Sequence, residues 1–326
     1  MDKLQEYQRL VEEGIVQLPL GSNPPELYEP IRYILSLGGK RMRPILTLLA
    51  CDLFGGDPTQ ALDAALGIEL FHNFSLVHDD IMDKAPLRRN KATVHEKWNA
   101  NVAILSGDAL LIKAYQQIAK VPFTWLSDVL IIFNETALQV CEGQQYDMNF
   151  ESKTRVSIPQ YMHMIKLKTA VLLAGSLQIG AVLGSASVKD AQQLYEFGIN
   201  AGLAFQLQDD LLDVYAESGR FGKISGGDII ANKKTFLLLK ILELCASNPY
   251  KKEELNLWLN APHFDPAEKV QAVKDIYDYF DIRTLAFKEM NTYYEKALAC
   301  LEGITVAVEK KSGLLALTDS LRIREI

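Results

Sequence analysis

Between Thr169 and Val188 the chain reads TAVLLAGSLQIGAVLGSASV, a run without one charged side chain. A helix with no polar face to offer water either crosses a bilayer or lies at the centre of a protein whose other elements wrap it. Lys166 and Lys168 stand immediately before the run, and its serines, glycines and Gln178 lower its hydrophobicity. Both features favour a buried helix inside a large helical domain, with no integral membrane segment. The rest of the chain agrees. Asp57 followed by Pro58, and Ser157 followed three residues on by Gln160, are helix starts. Alternating strand patterns are scarce, so the fold class is all-α, with breaks near 21–25, 84–91, 151–159, 217–228 and 261–266. At 326 residues and 48% hydrophobic the chain can bury a sizeable core. No Pro/Gly/Ser linker divides it, and a single domain over residues 1–326 is expected.

The net charge of -7 argues against broad nucleic-acid binding and leaves open local basic clusters that hold a phosphorylated small molecule. Cys51, Cys141, Cys245 and Cys300 are widely spaced, with no CxxC pair, and MDKLQEYQRL is not a secretory leader. A reducing, cytoplasmic location is expected.

The chemistry is concentrated in two acidic clusters. VHDDIMD places Asp79, Asp80 and Asp83 at DDxxD spacing, and FQLQDDLLDVY repeats that spacing with Asp209, Asp210 and Asp213. With 20 aspartates in the chain, a shuffled sequence carries roughly 0.07 such motifs, so two copies are not an accident of composition. At about 100° per residue the first and last Asp of each motif lie about 40° apart on one helix face, where each pair can share a cation. Their repulsion costs a few tenths of a kcal/mol until a cation sits between them. Carboxylates without Cys or clustered His favour Mg²⁺ over zinc, and Mg²⁺ typically takes one or two carboxylates and completes its shell with substrate phosphates. His78-Asp79, with His72 and His95 nearby, also resembles metal phosphohydrolases, but those need several converging His ligands and leave the second cluster unexplained. Helical arithmetic instead puts His72 on the face of Asp79.

Basic residues beside glycines match the acidic clusters: Lys40, Arg41 and Arg43 in LGGKRMRP, Arg88 and Arg89 in LRRN, Lys166 and Lys168 in KLKT, and Lys223, Lys233 and Lys234 in RFGKISGGDIIANKKT. Together they describe a site for two diphosphates, one held through Mg²⁺ and one directly. The ordered set GGKRxRP, DDxxD with LRR, KT, FQxxDD with LLD, and GKxxGGD with KKT resembles the trans-isoprenyl diphosphate synthases, the polyprenyl synthetase family, over roughly residues 30 to 240. The resemblance is to short-chain members. It implies an isoprenoid synthase-type helical bundle around a central cavity lined by the two aspartate-bearing helices, a homodimer, and three Mg²⁺ ions per active site.

By that resemblance Asp79, Asp83 and Asp209 are Mg²⁺ ligands holding an allylic diphosphate (dimethylallyl, geranyl or farnesyl). Asp80, Asp210 and Asp213 are supporting partners or weaker ligands, Asp213 being the one also counted with the metal set. Arg88, Lys168, Thr169, Gln206, Lys223 and Lys233 complete the allylic site, with Lys168 and Lys223 acting on the departing diphosphate. Lys40, Arg43, His72 and Arg89 hold isopentenyl diphosphate. Asn90, Ala92 and Asn232 depart from the family pattern, and Asn tolerates the left-handed backbone such turns need. Ahead of the first cluster, Phe71, Phe74 and Ser75 line the helix face expected to limit chain growth. A compact DDIMD with one aromatic at the fifth position before it resembles geranylgeranyl synthases, with a farnesyl product as the neighbouring choice. A class I terpene cyclase shares the first motif, but cyclases usually replace the second cluster and lack an isopentenyl site. A non-catalytic partner subunit tends to lose an aspartate cluster, and neither is lost here.

Overall fold

The computed structural model describes residues 3–216 and 226–322, and in them the chain is helical almost throughout, with one two-stranded hairpin. The all-α expectation holds. The hairpin fills the expected break at 84–91: Leu87–Arg88 pairs antiparallel with Lys91–Ala92. Its turn places Arg89 at φ 51° and Asn90 at φ 61°. Asn90 therefore supplies the left-handed backbone for which the family pattern has Gly, and Asn232 does the same at φ 53°.

Two compact units emerge, each assembled from discontinuous stretches. The first comprises Met1–Leu138, Leu172–Gly198 and Cys300–Leu317. Within it Asp57 accepts a hydrogen bond from Thr59 N–H at 2.9 Å and caps a 3₁₀ turn, Pro58–Ala61. The α-helix that carries the first acidic cluster thus begins only at Leu62, not at Pro58 as the sequence signal suggests, and runs to Met82. It packs on Ala100–Ile118, a helix capped by the Asn99 side chain accepting from Val102 N–H at 2.9 Å. The uncharged run forms the helix Val171–Leu183, in which Leu172, Leu177, Ile179, Ala181 and Leu183 are buried. Its small residues have a packing role: a Cβ on Gly180 would collide with the Thr47 carbonyl, so Met42–Leu53 crosses at backbone distance. By composition Ile158–Leu183 is long and apolar enough to cross a membrane, yet 72% of its apolar window is buried in protein.

The second unit comprises Gln139–Val171, Ile199–Ala299 and Thr318–Ile326. Its Ser157/Gln160 capping box forms as expected: Ser157 Oγ accepts from Gln160 N–H at 3.3 Å, and Gln160 Oε1 accepts from Ser157 N–H at 2.9 Å. The helix it starts, Ile158–Ile165, continues into a single π turn, Lys166–Ala170. No sequence signal announced this turn, and such bulges frequently occur at functional sites. Gly143 accommodates it, because a Cβ there would collide with the backbone of Leu167 and Lys168. At the break near 261–266 the Asp265 side chain accepts from Ala267 and Glu268 N–H and opens the helix Pro266–Tyr279.

Candidate active site

The helix Leu62–Met82 presents the first cluster. Asp83 follows it in helical conformation, its N–H donating to Asp79 O at 2.8 Å, so the two residues keep the one-turn spacing expected of a shared cation site. Asp79 is half-buried and Asp83 exposed, whereas Asp80 is 1% exposed. Asp80 points inward because Arg88 grips it with a fork: Nε donates to Oδ2 at 2.8 Å and Nη2 to Oδ1 at 2.7 Å. Burial pushes the Asp80 carboxyl up and Arg88 opposes the shift. Arg88, expected in the allylic site, is thus anchored on the middle aspartate of the motif that the open pair flanks.

Arg43, His72 and Arg89 gather beside this helix. Arg43 Nη1 lies 3.2 Å from His72 Nε2, and Arg43 Nε is buried without a hydrogen-bond partner among the described residues. Arg89 packs on the GGK loop, where a Cβ on Gly39 would stand 2.7 Å from its Nη2. Lys40, next in that loop, is exposed. Arg41, read from sequence with Lys40 and Arg43 as a phosphate-facing cation, is instead internal at 3% exposure. It donates to Glu69 Oε1 at 2.7 Å, to Glu12 Oε1 at 3.0 Å and to Leu35 O at 2.7 Å, which fixes the loop from within.

Burial, and then the charges of Arg43, Arg89, Arg88 and Arg41, hold His72 well below the usual histidine range. It is a neutral imidazole among guanidinium groups, an arrangement suited to an anion. The sign of the linkage follows. Below pH 6.5 the unfolded chain protonates this histidine while the folded chain does not, so stability present above 6.5 is lost as the pH falls. The expected slope approaches about 1.4 kcal/mol per pH unit. Thermal unfolding of the ligand-free protein between pH 7 and 5 should show a smaller fall for His72→Gln than for the wild type; parallel curves would contradict a neutral imidazole at this half-buried position.

The second unit holds the other cluster with the same division of labour. On the helix Val188–Tyr215, Asp209 and Asp213 are half-buried while Asp210 is 3% exposed. Asp210 accepts from the Tyr161 hydroxyl, from Gln206 Nε2 at 3.3 Å and from Phe236 N–H at 3.4 Å. Burial, reinforced by the charge of Asp228, pushes its carboxyl up to about 7. Thr169 Oγ1 donates to Gln206 Oε1 at 3.0 Å, and Lys168 Nζ reaches Asp147 Oδ2 at 2.6 Å, both from the π turn. Asp213 Oδ2 accepts from Asp228 N–H at 2.9 Å and its carbonyl from Gly226 N–H at 2.6 Å. Asp213 therefore ties down the GGD turn. Lys233 is exposed, whereas Lys234 donates to the Phe150 and Glu151 carbonyls near the end of the helix Phe123–Ser152. Lys223 lies outside the described residues.

Among the described residues no three His, Cys, Asp or Glu side chains converge to hold an ion by themselves. The Asp79–Asp83 and Asp209–Asp213 pairs nevertheless fit Mg²⁺, which takes one or two carboxylates and needs further oxygens from a bound phosphate. The histidines do not form a metal set: His72 pairs with Arg43, and His78 Nε2 lies 3.1 Å from Ile104 O. Sequence reading missed Asp147 and Tyr161. The signal for Asp147 was GQQYD, in which Gly143 and Asp147 are one helical turn apart and meet the backbone and side chain of Lys168.

Of the chain-length candidates, Phe71 is 1% exposed and meets Phe133 edge to face at 5.5 Å between ring centres. Phe74 is half-buried, 5.6 Å from the Phe71 ring and 4.7 Å from that of His78. Ser75 Oγ donates to His72 O at 2.8 Å. Phe74 thus stands one layer outside a closed aromatic core.

Comparison with known proteins places the chain in a family. Residues 24–279 match the family model described as polyprenyl synthetase. The chain is 39% identical over 246 residues to a geranylgeranyl diphosphate synthase of Methanosarcina mazei, covering 74% of this chain and 76% of that protein. A crystal structure of a geranylgeranyl pyrophosphate synthase superposes with a TM-score of 0.94 at 41% identity, covering 100% of both chains. A polyprenyl synthase from Caulobacter crescentus, solved with calcium and isoprenyl diphosphate, superposes with a TM-score of 0.86 at 26% identity, covering 99% of this chain and 95% of that one.

Proposed function

The chain belongs to the polyprenyl synthetase family and is a prenyltransferase, and from that premise we propose that it condenses isopentenyl diphosphate with allylic diphosphates to make geranylgeranyl diphosphate. The observation that carries this reading is the pairing, along one helix, of two carboxylates a turn apart, Asp79 and Asp83, with a separate cation cluster, Arg43, His72 and Arg89. A cyclase has one diphosphate to bind, and this chain has provision for two.

By family resemblance Asp79, Asp83 and Asp209 would hold Mg²⁺, three ions in all, and Asp213, which orients the GGD turn, would assist. When bound, Mg²⁺ would supply charge neutralisation for the allylic diphosphate as it departs. Arg88, Lys168 and Lys233, with Lys223, donate to the same diphosphate. Asp80 and Asp147 fix the direction of Arg88 and Lys168, so little reorganisation accompanies charge development. Arg43, Lys40 and Arg89 take the isopentenyl diphosphate, with neutral His72 beside Arg43. The isopentenyl double bond attacks the allylic carbon, and the released diphosphate accepts the proton.

We place the enzyme in the cytoplasm as a single-domain homodimer. Its four cysteines are free thiols. Leu105 and Ile112 on Ala100–Ile118, and Ile131 and Leu138 on Phe123–Ser152, leave apolar stripes that are 54% to 63% exposed and suit a second copy. Incubating purified protein with isopentenyl diphosphate, each allylic primer and Mg²⁺ should yield a twenty-carbon diphosphate, and chelation should stop it. Diphosphate release without chain growth would indicate a cyclase, and no turnover a partner subunit.

A further inference from the structure

The middle aspartates of the two motifs are both buried, yet they are held by different chemistry. Asp80 meets a guanidinium, whereas Asp210 meets a phenol, a side-chain amide and one backbone N–H. Those three donors come from three separate elements. Tyr161 lies on Ile158–Ile165, which leads directly into the π turn; Gln206 lies one turn before Asp210 on the cluster helix; and Phe236 N–H opens the helix that follows Lys233, Lys234 and Thr235. Gln206 passes the connection on to Thr169. One carboxylate thus joins the KT turn, the second acidic cluster and the KKT loop. Tyr161 is 3% exposed, so its ring only fills space, and its hydroxyl is the part directed at Asp210.

We propose that Tyr161 is a positioning residue for prenyl transfer: its hydroxyl holds the Asp210 carboxylate in the orientation that also receives Gln206 and Phe236, and so sets the aim of Asp209, Thr169 and Lys233. This rests on the prenyltransferase reading above. The hydroxyl touches no reacting atom. It acts on the rigidity with which the allylic diphosphate and its Mg²⁺ are met, a supporting contact of the kind whose loss costs about 10- to 100-fold in metal affinity or activity.

The test is Tyr161→Phe in the full-length protein, which removes one oxygen and keeps the ring. With isopentenyl and farnesyl diphosphates, kcat should fall about 10- to 100-fold and half-saturation in Mg²⁺ should move upward, while KM for isopentenyl diphosphate stays at the wild-type value. Asp210→Asn should show the same split, and the double variant should be no slower than the worse single, because both changes break one connection. If Tyr161→Phe does not fold by circular dichroism and thermal melting, Asp210→Asn alone decides by the same split. A lower Tm with unchanged kcat and Mg²⁺ dependence, or penalties that multiply in the double variant, would overturn the inference. Wild-type protein that turns over no isopentenyl diphosphate removes the premise and overturns both readings; active wild type with an indistinguishable Tyr161→Phe overturns this one alone.

Discussion

Asp79→Asn is expected to lower kcat by about 10³-fold while leaving the metal-free fold as stable as before or slightly more so. The two effects separate because Asp79 and Asp83 sit one turn apart as like charges on one helix. Removing one charge relieves a repulsion of a few tenths of a kcal/mol. The same removal takes away a ligand for the ion that stabilises the departing diphosphate, and losing one such preorganised contact costs about 10²- to 10³-fold, or about 3 to 4 kcal/mol of barrier. Asp209→Asn should behave alike. Asp80→Asn should not, because Asp80 is buried on Arg88 and its neutralisation leaves a guanidinium without its charge partner. The check is steady-state turnover across a Mg²⁺ series, with thermal unfolding measured with and without Mg²⁺ and inorganic diphosphate. Wild-type protein should gain Tm from the pair of ligands, and Asp79→Asn should gain little. An Asp79→Asn enzyme within about twofold of wild-type kcat would remove Asp79 from the metal site.

That contrast between Asp79 and Asp80 also marks how far the sequence could be read. Spacing alone put Asp79 with Asp83 and Asp209 with Asp213, since helical periodicity is a local property. It likewise put His72 near the first cluster, and Arg43 indeed reaches it. The capping box at Ser157 and the left-handed turn residues Asn90 and Asn232 were legible for the same reason. What stayed hidden depended on contacts distant in sequence. Arg41 carries the same side chain as Arg43 two positions on, and Glu69 and Glu12, far along the chain in both directions, with the Leu35 carbonyl, make it an internal anchor. The π turn at Lys166–Ala170 depends on Gly143, and the role of Tyr161 on Asp210. Local pattern names the candidates, and long-range pairing decides which cations and carboxylates stay open to a ligand.

Phe74→Ala is expected to move the product from twenty carbons to twenty-five or more. The ring of Phe74 is half-buried and rests on Phe71, which in turn meets edge to face with Phe133, itself 5.1 Å from the Tyr115 ring. Truncating Phe74 removes the outer layer while the layer behind it stays locked, so the vacated volume remains open instead of being filled by collapse. A growing prenyl tail gains by filling it, since each methylene transferred from water is worth about 0.8 kcal/mol. The farther-reaching tail then competes with product release after the third condensation. Phe71→Ala discriminates between a floor and a core: with that ring 1% exposed, its removal should cost about 3 to 5 kcal/mol of stability. Chromatography of the dephosphorylated products from both variants, with unfolding curves alongside, reads the two effects separately. A Phe74→Ala enzyme whose product distribution matches the wild type would show that chain growth is stopped elsewhere, and would leave Phe74 as packing for His78 and Phe71 only.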